Sequence, residues 1–193
     1  MSQWRIVLAD SSDLSRQFIK NVLLANGHLV YEARDGGSAI RLCRALAPDL
    51  VIADLNLTNM NGFEIGRIIN EADIAPVILM TPTLSRDFIE EVRKYSVFSY
   101  LLKPIDRTVL LATVEFVIEN YKKFRSMKEE IQKLKHELEA RKKIEKAKGY
   151  IMKAKGLSED EAYKTMRKMS MDLSIPMEII ADMILKEYQE YKT

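Results

Sequence analysis

The chain is poor in the residues on which several classes of protein depend. It has one cysteine, Cys43, so it cannot form an internal disulfide, and with only two histidines it offers no Cys/His zinc-finger pattern. Cys43 stands in the amphipathic run AIRLCRALA, which favours a buried apolar side chain over a reactive thiol. No apolar run reaches the length of a membrane span, and the first residues lack the apolar region of a secretory signal. These absences predict a cytoplasmic protein with no membrane partner.

The residue sets typical of stand-alone enzymes are also missing. There is no glycine-rich phosphate loop, no Ser/His/Asp set and no Cys/His set. The two histidines, His28 and His136, stand far apart in the sequence. The sequence therefore predicts that the protein is not an enzyme.

Glycine and proline are absent from residues 107–148, where apolar residues recur at helical spacing, so we predict one long helix. Its front part is apolar enough to join a globular core. Further along, apolar residues recur in steps of three and four among Lys and Glu, which is typical of a coiled-coil seam. The seam residues are Phe124, Met127, Ile131, Leu134 and Leu138. We expect a connecting helix that pairs two copies of the chain through residues 121–140.

Acidic residues are scarce in and after this seam. Residues 122–155 carry 13 Lys and Arg against 5 Asp and Glu, whereas the segments on either side are acidic. Pairs spaced i,i+4, such as Glu139 with Lys143, neutralise part of this charge. Five lysines still lack enough nearby acids: Lys142, Lys146, Lys148, Lys153 and Lys155. This surplus favours an anionic partner such as a nucleic acid.

Residues 4–104 alternate short apolar strands with helical segments five times. The pattern predicts an α/β fold with a doubly wound, five-stranded parallel sheet. Functional sites of such sheets lie at the carboxyl ends of the strands. The residues found there are Asp10, Asp54, Thr81, Lys103 and Pro104. Together they offer a carboxylate nucleophile, a second acid for a divalent cation, and a hydroxyl and an ammonium for phosphoryl oxygens.

This set resembles the receiver domain of two-component response regulators across about the first 120 residues. The residues that carry the resemblance are Asp54, Gly62, Thr81, Tyr100 and Lys103-Pro104. The resemblance implies that Asp54 accepts a phosphoryl group from a sensor histidine kinase, Thr81 is the switch hydroxyl, and Lys103 binds the phosphoryl group. It further implies that Tyr100 is the switch aromatic and that Mg²⁺ is bound by Asp10, Asp54 and the Asn56 carbonyl.

Two positions depart from the receiver pattern. Ser11 stands where the family usually has a second acid, and Mg²⁺ prefers anionic oxygens, so we expect weak metal binding. Asp13 is predicted to lie in the first turn of the following helix instead of replacing that acid. Pro82 follows the switch threonine and has no N–H to offer a phosphoryl oxygen. The sequence therefore predicts an atypical receiver, phosphorylated inefficiently or responding to another signal.

The last 50 or so residues predict a bundle of three short helices. The tail of the long helix ends at Gly156, Ser158 with Glu161 forms a capping box for the second helix, and Ser174 is expected to cap the third. Ile179, Ile180, Met183 and Ile184 are expected to face the interior of this bundle.

This segment resembles the ANTAR domain of response regulators that prevent transcription termination. The matching positions are Ala147-Lys148-Gly149, Met152, Gly156-Leu157-Ser158, Glu161-Ala162-Tyr163 and Met166-Arg167-Lys168. The resemblance implies a dimer acting on paired RNA stem-loops near a terminator. The residues we expect to contact RNA are Lys148, Lys153, Tyr163, Arg167 and Lys168.

The predicted organisation is a receiver domain over 1–120, a coiled-coil linker over 121–140 and a three-helix ANTAR domain over 141–193. Two alternatives stay open at this point: a DNA-binding regulator, and an adaptor that works without phosphorylation and whose basic residues are incidental. Tyr163 also has an alternative role, as a packing residue inside the bundle.

Overall fold

The computed structural model describes residues 2–94 and 97–190, with side chains up to Glu187. The chain divides into two compact units, Met1–Arg125 and Ser126–Thr193. In the first unit five strands alternate with helices, and the elements are β1 (Arg5–Ala9), α1 (Asp13–Ala25), β2 (Leu29–Ala33), α2 (Gly36–Leu46), β3 (Leu50–Asp54), α3 (Gly62–Glu71), β4 (Val77–Thr81), α4 (Arg86–Lys94) and β5 (Ser99–Leu102). The helix α5 (Arg107–Lys155) begins in this unit and continues into the second.

The five strands form one parallel sheet in the order β2-β1-β3-β4-β5. Every residue of the central strand β3 and of β4 is buried, which explains why LVIAD and VILMT read as apolar runs without alternation. The order in which successive strands are added to the sheet reverses between β1 and β3, and a doubly wound sheet has a crevice at such a point. The predicted fold of this unit is confirmed.

Apolar cores lie on both faces of the sheet. One contains residues of α2, α3 and α4, including Cys43, Ile65 and Phe88. The other contains residues of α1 and of the front of α5, including Ile19 and Leu110. Cys43 is fully buried, as predicted, and burial raises the pKa of its thiol to about 12.

The long helix α5 has 49 residues, begins at Arg107 and runs to Lys155, as predicted. It ends where Gly156 adopts a φ of +65°, a conformation that glycine reaches without the steric cost of a Cβ. The five seam residues of the predicted coiled coil are between 48% and 57% exposed in the single chain, so their apolar surface is uncovered. None of the helices in the described ranges is long and apolar enough to cross a membrane.

The second unit packs the tail of α5 against α6 (Glu159–Leu173) and α7 (Met177–Glu190). Its buried core consists of Ala147, Ile151, Ala162, Met166, Ile180 and Ala181. Ser158 and Glu161 form the predicted capping box: the Glu161 N–H donates to the Ser158 hydroxyl, and the Glu161 carboxylate accepts from the Ser158 N–H. The predicted three-helix bundle is confirmed.

Two details of the α6–α7 region were predicted wrongly. Ser174 does not open α7; it ends α6 in the left-handed conformation, with its N–H bonded to the carbonyls of the last turn. Ile179 and Met183 do not face the interior, since they are 45% and 48% exposed. The other two predicted positions do face the interior: Ile180 is fully buried beside Ala181, and Ile184 packs against the same core.

Candidate functional site

Three of the predicted site residues meet at the carboxyl edge of the sheet. Asp10 follows β1, Asp54 ends β3, and Lys103 follows β5. The Lys103 ammonium lies 2.9 Å from Asp10 Oδ2 and also donates to Asp54 Oδ2. Asp10 is fully buried and Asp54 nearly so. One ammonium thus neutralises part of the charge of two carboxylates that come from strands distant in the sequence.

The contact between Asp10 and Lys103 shifts the pKa of both side chains. Burial by itself would raise the pKa of Asp10, but hydrogen bonds from Ser15, Lys103 and the Ser12 N–H outweigh burial and lower the pKa below its ordinary value. Burial likewise works to lower the pKa of Lys103, and its hydrogen bonds to Asp54 and Asp10 raise the pKa above the ordinary value. Both groups are charged at neutral pH.

The loop after β3 is built tightly around Asp54. The Asn56 N–H donates to Asp54 Oδ1 at 3.0 Å, and the Gly62 N–H donates to the Leu55 carbonyl at 3.0 Å. A Cβ at Gly62 would stand 2.8 Å from the carbonyl oxygen of Asp54 and 2.9 Å from the Leu79 side chain. Glycine at this position is therefore a steric requirement of the acceptor loop.

A third carboxylate does not join the pocket. Ser11 is exposed, and Asp13 lies in the first turn of α1, as predicted, where it pairs with Arg16 and lies 3.5 Å from Arg34. Within residues 2–94 and 97–187, no group of three or more His, Cys, Asp and Glu side chains could hold a metal ion. The carboxylates of Asp10 and Asp54 remain, and carboxylate oxygens are donors that Mg²⁺ accepts when water completes its shell.

Thr81 ends β4 and Tyr100 lies within β5, and each side chain contacts residues outside the pocket. The buried Thr81 hydroxyl donates to the Thr83 carbonyl at 2.9 Å and receives the Thr83 N–H at 3.4 Å. Thr83 thus engages the switch hydroxyl, while the intervening Pro82 has no N–H. The Tyr100 ring is 37% exposed and meets Phe88 edge-on, with ring centroids 5.5 Å apart.

Arg16 was not predicted to belong to this site. Its guanidinium is buried and donates to the Asp10 carbonyl at 2.7 Å and to Glu32 at 3.1 Å, so it fixes the backbone that carries Asp10. The sequence did contain a signal for it, because Arg16 stands three residues before the buried Ile19 on the inward face of α1.

In the second unit, the prediction that Lys148 lacks nearby acids is wrong. Its ammonium lies 2.7 Å from Glu145 and 2.8 Å from Glu159, and only 9% of the side chain is exposed. These two carboxylates raise the pKa of Lys148. Lys148 therefore links α5 to the start of α6, and its charge is already engaged within the bundle.

The other predicted RNA contacts lie at the surface. Lys153 is exposed on α5, and Arg167 and Lys168 are exposed on α6. Tyr163 is 43% exposed, so the alternative that it packs inside the bundle is not supported. Tyr163 and Arg167 are four residues apart, which places them on neighbouring turns of one face of α6.

Comparison with known proteins places both units in one family. The model of the response regulator receiver domain matches residues 6–115, and the model of the ANTAR domain matches residues 132–185. The chain belongs to the response regulator family. Its architecture is that of a regulatory protein and supports an ANTAR RNA-binding role.

Known proteins match this response regulator over different shares of its length. The transcriptional regulatory protein PdtaR of Mycobacterium tuberculosis is 30% identical over 183 residues, which cover 94% of this chain and 89% of PdtaR. Protein PilH of Pseudomonas aeruginosa is 30% identical over 117 residues, covering 59% of this chain and 97% of PilH. The solved structure of the chemotaxis response regulator CheY4 of Vibrio cholerae matches with a TM-score of 0.56 and 25% identity, covering 60% of this chain and 99% of CheY4.

The ANTAR unit of this response regulator also contains ion pairs that the sequence did not predict. The Lys143 ammonium lies 3.1 Å from Glu178 and 3.0 Å from Asp182 on α7, and these carboxylates raise the pKa of Lys143. The predicted partner of Lys143, Glu139, instead accepts from Lys142 at 2.8 Å. The tail of α5 is thus joined to both of the other helices by lysine.

Proposed function

We propose that this response regulator binds paired RNA stem-loops through an ANTAR domain over residues 141–193 and so prevents transcription termination. A receiver over residues 1–120 controls that activity through a coiled-coil linker over residues 121–140. The observation that carries the proposal is the presence, in one chain, of the Asp54–Lys103 pocket and of an ANTAR bundle with exposed basic residues on α5 and α6.

The pocket chemistry follows from the three grouped side chains. An Asp54 carboxylate oxygen attacks the phosphorus of a phosphohistidine on the sensor kinase, an O–P bond forms, and the P–N bond to the histidine breaks. Lys103, already at Asp54, neutralises charge on the phosphoryl oxygens. Asp10, Asp54 and the Asn56 carbonyl would hold Mg²⁺, which supplies further neutralisation of phosphoryl charge when it is bound.

Ser11 and Pro82 weaken this chemistry in the proposed mechanism. Ser11 removes one anionic oxygen from the metal site, and Pro82 removes one N–H donor beside Thr81. The test is labelling by acetyl phosphate with Mg²⁺, in the wild type and in a Ser11→Asp, Pro82→Ala double variant. We expect faster labelling of the double variant, with Asp54→Asn as the unlabelled control. Rapid labelling of the wild type, equal to that of the double variant, would contradict the weakened site.

Dimerisation provides the proposed coupling between the two domains. The five seam residues present a half-exposed apolar stripe on α5, and pairing two such stripes would remove it from water. A change at Asp54, Thr81 and Tyr100 would alter the surface next to α5 and thus favour or disfavour pairing. Two ANTAR domains held together bind two adjacent loops with a higher effective concentration.

The deciding experiment measures RNA binding by the full chain with and without a phosphoryl mimic and Mg²⁺, using RNAs that carry two adjacent stem-loops with randomised loops. We expect enrichment of particular loop sequences and an affinity that falls steeply with salt. Binding only with the mimic would support phosphorylation as the gate, and equal binding without it would support another signal. Preference for duplex DNA, or no binding to either nucleic acid, would instead support the DNA-binding or adaptor alternative.

A further inference from the structure

Gly149 is a glycine in the interior of a helix, and no contact with the described part of the chain requires it. It lies six residues before the end of α5, and glycine is the poorest helix former after proline. A Cβ built at Gly149 meets none of the described atoms within 4 Å, in contrast to the crowded Gly62. Its φ is not in the left-handed region either, where only Gly27 and Gly156 are found among the described glycines. The missing side chain therefore leaves open space on the surface of α5.

That open space belongs to a groove of about 420 Å³ between α5 and α7. Gly149 lines the groove together with Glu145, Lys146, Tyr150, Lys153 and Leu185. Lys146, Gly149 and Lys153 are spaced three and four residues apart, so they share one face of the helix.

The charge of this groove is positive. Lys146 and Lys153 are exposed, and neither has an ion-pair partner within 4.0 Å among the residues whose side chains the structure describes. The acidic residue of the groove, Glu145, is engaged by Lys148 at 2.7 Å. Two lysines and one glutamate thus give the groove lining a net charge of +1, and the two ammonium groups flank a stretch of helix surface that has no side chain.

We propose that this groove is the place where an unpaired RNA loop lies against the ANTAR domain, an inference that rests on the proposed RNA function. Phosphates of the loop bind Lys146 and Lys153, and the missing side chain of Gly149 lets the sugar-phosphate backbone approach the helix. Positive charge selects a polyanion, and the narrow gap over one glycine selects a single strand over a duplex.

Replacing Gly149 separates a binding role from a structural one. Gly149→Leu introduces a good helix former into open space, so we expect an unchanged or higher Tm for the full chain. We also expect at least a tenfold loss of affinity for the stem-loop RNAs that the wild type enriches. The matched control is Gln132→Leu, which adds the same side chain to an exposed position of α5 outside the groove.

The roles of Lys146 and Lys153 are tested through the salt dependence of binding to the same stem-loop RNAs. Lys146→Gln and Lys153→Gln should each reduce the slope of log affinity against log salt concentration by about 1, because each removes one phosphate contact. The control, Lys164→Gln, removes an exposed lysine of α6 that is paired with Asp160 and should leave the slope unchanged.

The outcomes distinguish the groove from the function on which it rests. If the wild type enriches no RNA, both the proposed function and the groove are overturned. If the wild type binds RNA and Gly149→Leu binds equally well, the groove alone is overturned. If Gly149→Leu weakens binding to duplex DNA as much as binding to RNA, the assignment of a single-stranded partner is overturned.

Discussion

At the scale of single residues, Lys103 joins the ends of three strands. Its ammonium contacts Asp10 after β1 and Asp54 at the end of β3, and its N–H donates to the carbonyl of Thr81 at 2.8 Å. We predict that Lys103→Met lowers the free energy of unfolding by about 3 kcal/mol at pH 7, because two buried carboxylates are left facing each other. Urea titration of the full chain measures this loss.

The free energy of unfolding lost in Lys103→Met should depend on pH. Asp10 has a lowered pKa in the folded wild type, so its contribution to stability is present above the ordinary carboxylate range and is lost as the pH falls through the lowered pKa. In Lys103→Met the same carboxylate is destabilised by burial, so protonation favours the folded state. The difference in the free energy of unfolding between the wild type and Lys103→Met should therefore be smaller at pH 4 than at pH 7. The control is Arg67→Met, which removes an exposed ion pair with Glu71. It should lower the free energy of unfolding by about 0.5 kcal/mol or less at either pH.

Gly62 offers a second test at the residue scale. A methyl group there would stand 2.8 Å from the carbonyl oxygen of Asp54, so we predict that Gly62→Ala destabilises the receiver by about 1 to 3 kcal/mol and slows labelling of Asp54. Gly66→Ala is the matched control on the same helix, since its Cβ would meet Val97 at an ordinary 3.5 Å. Equal thermal stabilities of the two variants would contradict the steric requirement at Gly62.

At the scale of elements, the half-exposed apolar stripe of α5 is the surface through which we propose that two copies of the chain pair. Leu134 is 57% exposed in the single chain and is the fourth of the five residues of the predicted seam. We predict that Leu134→Lys makes the protein monomeric in sedimentation experiments, because an ammonium at the seam would have to be buried between two helices. The thermal unfolding of the receiver should be unaffected.

Gln132→Lys is the matched control for this element. It adds the same charge two residues away, at an exposed position outside the seam, and should leave the dimer intact. A wild-type chain that is monomeric at every concentration and with every phosphoryl mimic would exclude α5 pairing as the link between the domains.

At the scale of the whole molecule, RNA binding should depend on the number of loops as well as on dimerisation. We predict that Leu134→Lys weakens binding to a two-loop RNA by about 100-fold or more but leaves binding to a single stem-loop unchanged, because only avidity is lost. Fluorescence anisotropy with the two RNAs measures both affinities. An equal loss on both RNAs would show that the bundle itself had been damaged.

Much of this architecture follows from local patterns in the sequence. Apolar runs alternating with amphipathic segments predicted the parallel sheet, since a strand buried on both faces needs no polar alternation. The absence of glycine and proline predicted the long α5, and Ser158 with Glu161 predicted the start of α6. The grouping of Asp10, Asp54 and Lys103 followed from strand ends that share one edge of a sheet.

Other features were decided only when the helices packed together. The sequence by itself left Lys148 as a surplus positive charge and paired Lys143 with Glu139, but their partners Glu159 and Glu178 stand 11 and 35 residues away. Such pairs depend on how α6 and α7 pack against α5, which no local periodicity specifies. For the same reason only the tertiary structure showed that Ser174 ends α6, that Arg16 supports Asp10, and that the space over Gly149 is empty. Local spacing determined the elements, and contacts between elements distant in sequence determined which charges remain available to a partner.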